Sequence, residues 1–266
     1  MNNLEKPIGL TDCIDIIDET FHRLSRPGWA VDPTHFIIEL DPQNGRSALT
    51  EYVSESLRIS GGFQFNSLDC FIEFKLDGTM EQLNDIFNAK LPLHADFSND
   101  YDGVVAMDIT QLAVQQSSDH VDYFLNRVSE LSKSSLFIFF VPSTRKSEFL
   151  ARSVDKLTHR IKKKLNEKVL HLYAEPYTRE ELTRIAEKAL GDIEIELSGG
   201  KKMDEAIAEQ LAQRRITASK DAYNLGLELS KLADFSKFRS VLHASAVKAI
   251  GSENTMNVSE VSLNGK

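Results

Sequence analysis

Leu136-Phe137-Ile138-Phe139-Phe140-Val141 is an unbroken apolar run, stopped by Pro142. A segment this short and this apolar reads as a strand that must be covered on both faces. It has companions. Phe36-Ile37-Ile38-Glu39-Leu40, Leu68 to Phe74, Gly103 to Asp108 and Lys168 to Tyr173 are further short runs rich in β-branched and aromatic residues. Between them, apolar residues recur at helical spacing, as in Ile14, Ile17, Phe21 and Leu24. Segments 11–25, 46–59, 79–89, 119–132, 145–166 and 177–190 follow that rule. Strands that alternate with helices need crossover connections, so the expected fold class is α/β, a parallel five-stranded sheet flanked by helices. After Gly191 the strand signal fades, and 201–213, 217–233 and 236–250 read as three helices. The expected division is an α/β domain over 1–195, a small helical domain over 196–250, and a polar tail over 251–266 that is expected to be disordered.

Charge narrows the function classes. The 266 residues carry a net charge of −9, which disfavours a general nucleic-acid binder, because phosphate neutralisation supplies most non-specific affinity. The charge is uneven, however. Arg145, Lys146, Arg152, Lys156, Arg160, Lys162, Lys163 and Lys164 face only Glu148 and Asp155, and a local basic face can bind a nucleic acid or an acidic partner. No apolar run is long enough to span a membrane, and Met1 to Lys6 does not start a secretory leader. Cys13 and Cys70 show no metal-ligand spacing and read as buried reduced thiols, so a cytoplasmic location is expected. No His-x-x-x-His, Gly-x-Ser-x-Gly or Gly-x-Gly-x-x-Gly pattern occurs, which argues against a transition-metal site, an α/β-hydrolase elbow and a dinucleotide loop.

The segment from His35 to Val53 reads strand, turn, Gly45-Arg46-Ser47, helix. A phosphate-binding loop needs inward backbone N–H groups at a helix N-terminus, a Lys for the β/γ-phosphates, and a Ser or Thr hydroxyl for Mg²⁺. Against Gly-x-x-x-x-Gly-Lys-Ser/Thr the chain offers Leu40-Asp41-Pro42-Gln43-Asn44-Gly45-Arg46-Ser47. Gly45 and Ser47 match; Leu40 and Arg46 do not. A second strand follows, then strands ending in Asp108 and Ser143, then a fifth strand leading into Glu175-Pro176-Tyr177-Thr178-Arg179-Glu180-Glu181-Leu182. Over roughly residues 30–250, this order resembles the AAA+-type P-loop ATPases.

The resemblance implies ATP or ADP with Mg²⁺ as cofactor. It implies phosphate contacts from Asn44, Gly45, Arg46, Ser47 and Ala48, and Mg²⁺ held by Ser47 and Asp108. Asp108 would stand at the Walker B aspartate, Ser143 at the sensor 1 position, and the C-terminal helices would form the lid. It also implies a nucleotide-driven switch or accessory factor, with a protein partner or self-association. The departures limit the chemistry. Ile109 stands where the family carries Glu, so water has no general base. A planar guanidinium at Arg46 does not replace a compact ammonium. Hydrolysis is expected to be weak or absent.

Plainer readings stand beside these. Gly45-Arg46-Ser47 also suits an ordinary strand-to-helix turn. Asp108 could cap the element after its strand, and Ser143 could cap the basic helix. Arg239 is a solvated helix residue or a lid arginine; Arg145 and Arg152 are surface residues or arginine fingers for a neighbouring subunit. A degenerate relative that has lost nucleotide binding would serve as a scaffold, meeting a protein or DNA partner through 145–164.

Overall fold

The computed structural model describes residues 4, 6–24, 35–60, 71–91, 104–115, 117–132, 135–144, 147–166, 168–235 and 240–248. Arg145, Arg239, Cys70 and the 251–266 tail lie outside the described residues. The chain forms two compact units, Met1–Ala174 and Glu175–Lys266.

In the first unit, β1 (His35–Glu39), β2 (Phe71–Lys75), β3 (Val104–Asp108), β4 (Leu136–Val141) and β5 (Val169–Tyr173) form one sheet. Its order is β2-β3-β4-β1-β5 and every pairing is parallel. The first strand therefore lies inside the sheet, between β4 and β5, and is buried along its whole length. Every residue of β4 is buried as well, as an apolar run with no polar face requires. β5 is an edge strand, buried at Val169 and Leu172 and exposed at Leu170 and Tyr173.

Both sheet faces carry aromatics. On one, Phe137 and Phe139 stack with centroids 5.6 Å apart, and Phe124 meets Phe139 edge-on. These join Ile37, Val105, Met107, Phe87, Val154 and Ile161 in one core. On the other, Phe36 meets Phe21 edge-on at 6.1 Å. The helices of this unit are α1 (Thr11–Leu24), α2 (Arg46–Ser60), α3 (Met80–Asn84, continuing as a π-helical segment Asp85–Lys90), α4 (Thr110–Gln115), α5 (Ser118–Leu131) and α6 (Glu148–Lys164). Ser147, not Ser143, caps α6, its hydroxyl accepting from Leu150 N at 3.3 Å. Lys162, Lys163 and Lys164 fill the last turn of α6, where the helix dipole favours positive charge.

The second unit contains α7 (Arg179–Gly191), β6 (Ile195–Ser198), α8 (Lys201–Gln213), α9 (Ser219–Leu229), β7 (Asp234–Phe235) and β8 (Ser240–His243). A capping box of Thr178 and Glu181 starts α7. Two expectations are corrected here. Strand structure does not end at Gly191, because β6, β8 and β7 form a small sheet in that order. The segment 236–250 is not one helix, because Ser240–His243 pairs in parallel with β6. The division between units also falls at 174/175 rather than 195/196. The buried face of α7 (Leu182, Ile185, Ala186, Ala189, Leu190) packs with α9 and α8, so α7 belongs to the helical unit. No helix among the described residues is long and apolar enough to cross a membrane.

Candidate functional site

The C-terminal ends of β1, β3 and β4 meet where the chain leaves the sheet on both sides of β1. Such a reversal of strand order is where open α/β sheets leave a crevice. The ladders run one residue past the strands: Leu40 N donates to Val141 O at 2.8 Å and Ile109 N to Phe140 O at 3.0 Å. The chain then turns sharply. Asn44 N donates to Asp41 O at 3.0 Å, which closes a turn over Asp41–Asn44. Gly45 follows at φ 81°, a conformation that favours glycine, and its carbonyl accepts from Leu49 N to start α2. The Asp41 carboxylate accepts from Ser143 N at 3.1 Å and ties this turn to the end of β4.

Arg46, the first residue of α2, points back into the protein and is 5% exposed. Its Nε donates to Leu40 O at 2.7 Å, and one Nη donates to the same carbonyl. The other Nη lies 2.6 Å from Asp108 Oδ2. The guanidinium stands over the Phe140 ring at 5.2 Å. Asp108 uses its second oxygen as a cap: Oδ1 accepts from Thr110 N at 3.0 Å and from Thr110 Oγ1 at 2.5 Å. Asp108 thus caps the turn into α4 with one oxygen and meets Arg46 with the other.

A second polar cluster borders the first. Glu39 Oε2 accepts from Thr144 N at 3.0 Å and from Thr144 Oγ1 at 2.8 Å. His171 Nε2 lies 3.2 Å from Glu39 Oε1, close enough for an ion pair but off the hydrogen-bond axis. The His171 ring stacks on Tyr173 with centroids 4.6 Å apart. Burial opposes ionisation of Glu39, but His171 and Thr144 outweigh it and hold the carboxyl below its usual range. At the far end of β1, burial lowers the His35 pKa to about 4, and its neutral ring accepts from Phe137 N.

Of the residues singled out from sequence, Arg46 and Asp108 are in direct contact, and Ser143 meets Asp41 through its backbone. Asn44 is half-buried in the turn, while Ser47 and Ala48 are exposed on the first turn of α2. Glu39, Thr110, Phe140, Thr144 and His171 escaped sequence reasoning. The one signal was Glu39, a charge at the end of an otherwise apolar strand. As arranged, these residues do not fit a Mg²⁺-nucleotide. Both Asp108 oxygens are committed to Arg46 and Thr110, the guanidinium faces inward, and the turn at 41–44 is closed on itself. No group of three His, Cys, Asp or Glu among the described residues is placed to hold a metal.

No protein-family model matches the chain, and no curated protein matches it in sequence. Among solved structures, the chain is similar to a single-substitution variant of RuvB from Thermotoga maritima, with a TM-score of 0.56, 17% identity, and coverage of 95% of this chain and 70% of that one. At that identity the likeness is one of fold alone: a five-stranded parallel α/β sheet flanked by helices, followed by a mainly helical C-terminal part.

Proposed function

We propose that this chain is a P-loop-fold protein without nucleotide turnover, in which the Arg46–Asp108 ion pair stands in for phosphate and Mg²⁺, and that it acts as a scaffold for a protein partner. The observation that carries this reading is the buried contact of 2.6 Å between the two motif residues, closed by Leu40 O and Phe140. For phosphate to use Arg46, that pair must open. Opening it separates Asp108 from its cation, and that cost is subtracted from whatever affinity the phosphate contacts supply. Ile109 is fully buried and apolar, so the position after Asp108 supplies no base for water. The partner surface under this reading is the basic helix α6; the net charge of −9 ranks DNA below an acidic protein.

The competing reading is a nucleotide-binding switch, with Asn44, Gly45, Arg46, Ser47 and Ala48 around the phosphates. A thermal melt with and without millimolar Mg²⁺-ATP or Mg²⁺-ADP separates the two. A ligand present at a hundredfold excess over its Kd stabilises the folded state by about 2.7 kcal/mol, a shift of several degrees. The scaffold reading expects no shift with either nucleotide. A clear upward shift that Arg46→Ala abolishes would overturn it in favour of the switch.

A further inference from the structure

Helices α4, α5 and α6 pack together on the first unit and leave a trough of about 320 Å³ between them. Its floor is apolar: Leu112 and Ala113 from α4, Val121 from α5 and Leu157 from α6. Its rim is basic: Lys156, His159 and Arg160, all from α6. Ser153, Lys156, Leu157 and Arg160 stand at i, i+3, i+4 and i+7, so the trough follows one face of α6 for two turns, about 10 Å. Arg160 is held in place by an ion pair with Asp122 of α5. Lys156 is exposed and has no ion-pair or hydrogen-bond partner among the described residues.

The surroundings extend the pattern. Phe149, one turn before Ser153 on the same face of α6, is 68% exposed, and Val114, next to Ala113, is 40% exposed. Exposed large apolar groups beside an apolar trough with a polar rim mark a contact surface. Within α6, six Lys and Arg residues face only Glu148 and Asp155, in a chain whose net charge is −9. This positive surface therefore runs against the charge of the molecule that carries it.

We propose that the α4–α5–α6 trough is a docking site for an acidic amphipathic helix of a partner protein. Two apolar side chains one turn apart would enter the trough, and flanking carboxylates would meet Lys156, His159 and Arg160. The volume lies at the lower end of the roughly 300–1,000 Å³ of small-molecule sites, which suits a few aliphatic side chains. Apolar anchors at helical spacing, laid into a groove, are a recurring mode of helix recognition. The charged rim sets orientation and association rate, and the apolar floor supplies the affinity. This inference rests on the scaffold reading and specifies which surface of α6 meets the partner.

The test uses the full chain and a fluorescently labelled probe helix. The probe has two Leu residues one turn apart on one face, flanked by Glu. Two control probes replace Glu by Lys, or the Leu pair by Ser. Anisotropy titrations should show the acidic probe binding about tenfold or more tighter than either control, with affinity that falls as salt rises. Lys156→Glu combined with Arg160→Glu should reverse the preference, favouring the lysine probe. Because Arg160 is ion-paired, Lys156→Glu alone is the second variant; it removes an exposed, unpaired charge and should weaken the acidic probe severalfold with an unchanged melt. Equal binding of the acidic and lysine probes, or no effect of either variant, overturns the proposal. So does a concentration-dependent self-association abolished by Lys156→Glu, because the occupant would then be a second copy of this chain. The outcome is separable from the scaffold reading itself. A nucleotide-induced melt shift sinks that reading whatever the probe does, whereas loss of probe binding without such a shift sinks only the docking site.

Discussion

Arg46→Ala would leave the half-buried Asp108 beside Phe140 without its cation, and the cost can be estimated from the contacts. Arg46 is 5% exposed and its side chain contacts Leu40 O, Asp108 and the Phe140 face. Truncating one partner of a buried pair costs about 3–5 kcal/mol, mostly the penalty of the charge left behind. For a unit the size of Met1–Ala174, about 2–4 °C of melting temperature is lost per kcal/mol, so the transition should fall by about 6–20 °C. The informative companion is the paired change Arg46→Met with Asp108→Leu. It removes both charges and keeps apolar volume, and such replacements are often neutral or stabilising. The pair should therefore recover most of the loss, to within about 1–2 kcal/mol of the native chain, with the remainder from the freed Thr110 and Leu40 groups. Urea titration with both single variants completes a double-mutant cycle. If Arg46→Ala melts within a degree of the native chain, or if the pair is no better than the single change, the ion pair does not hold the site together and the scaffold argument loses its basis.

Gly226→Ala adds a methyl group that would sit 2.2 Å from Ala186 O and 2.8 Å from Ala189 Cβ, so α9 must move off α7. The overpacking cost of about 1–3 kcal/mol should exceed the roughly 1 kcal/mol gain in helix propensity, and denaturant unfolding of the second unit measures the sign. His35 has a folded pKa of about 4 against an ordinary 6.5, so its contribution is present above about pH 6.5 and lost as pH falls towards about 4. That loss amounts to about 3 kcal/mol; His35→Asn, which keeps an acceptor but does not titrate, should flatten the stability profile over this window. Glu39, whose carboxyl is held below its usual range, acts with the same sign at lower pH, its contribution being lost as pH falls through the folded value. Burial pushes the Cys13 thiol up to about 11, so in the native protein it should resist iodoacetamide at neutral pH and react only on unfolding, as peptide mass spectrometry would show.

Local pattern carried the sheet. β4 and α8 match their sequence boundaries, and β1 and β3 fall within a residue of theirs, because an apolar run or a 3.6-residue period is set by burial on a single element. The second unit resisted for the opposite reason. β8 is only four residues long, and its Val241 and Leu242 continue into Ala244 and Val247 at helical spacing. What makes Ser240–His243 a strand is its pairing with Ile195–Ser198, more than forty residues earlier, and no window of local sequence reports a partner at that distance. The α7 assignment failed likewise. The helix was legible, but the unit to which it belongs depends on Gly226 letting α9 approach Ala186 and Ala189.

The candidate site shows the limit of motif reading more sharply, because the two mismatches within the phosphate-loop pattern meet in space, the Arg46 side chain donating to the Leu40 carbonyl. Leu40 stands where the pattern wants Gly, and Arg46 where it wants Lys. A loop that wraps phosphate needs an open backbone, whereas here the turn is closed by Asn44 N to Asp41 O, with the Leu40 side chain 3% exposed beneath it. That closure leaves the Leu40 carbonyl directed at the start of α2, where an acceptor needs a donor. A lysine could offer one compact charge. The guanidinium fork instead reaches Leu40 O with two donors, Asp108 with a third, and lays its face on Phe140. Each residue was visible in the sequence as a departure from a pattern. Their complementarity was not, since it depends on β1, β3 and β4 bringing positions 40, 46, 108 and 140 to one end of the sheet. A motif with two unrelated errors would be a decayed site. Here the two departures are joined by hydrogen bonds from the Arg46 side chain to the Leu40 carbonyl, which is the geometry that the scaffold reading proposed above builds on.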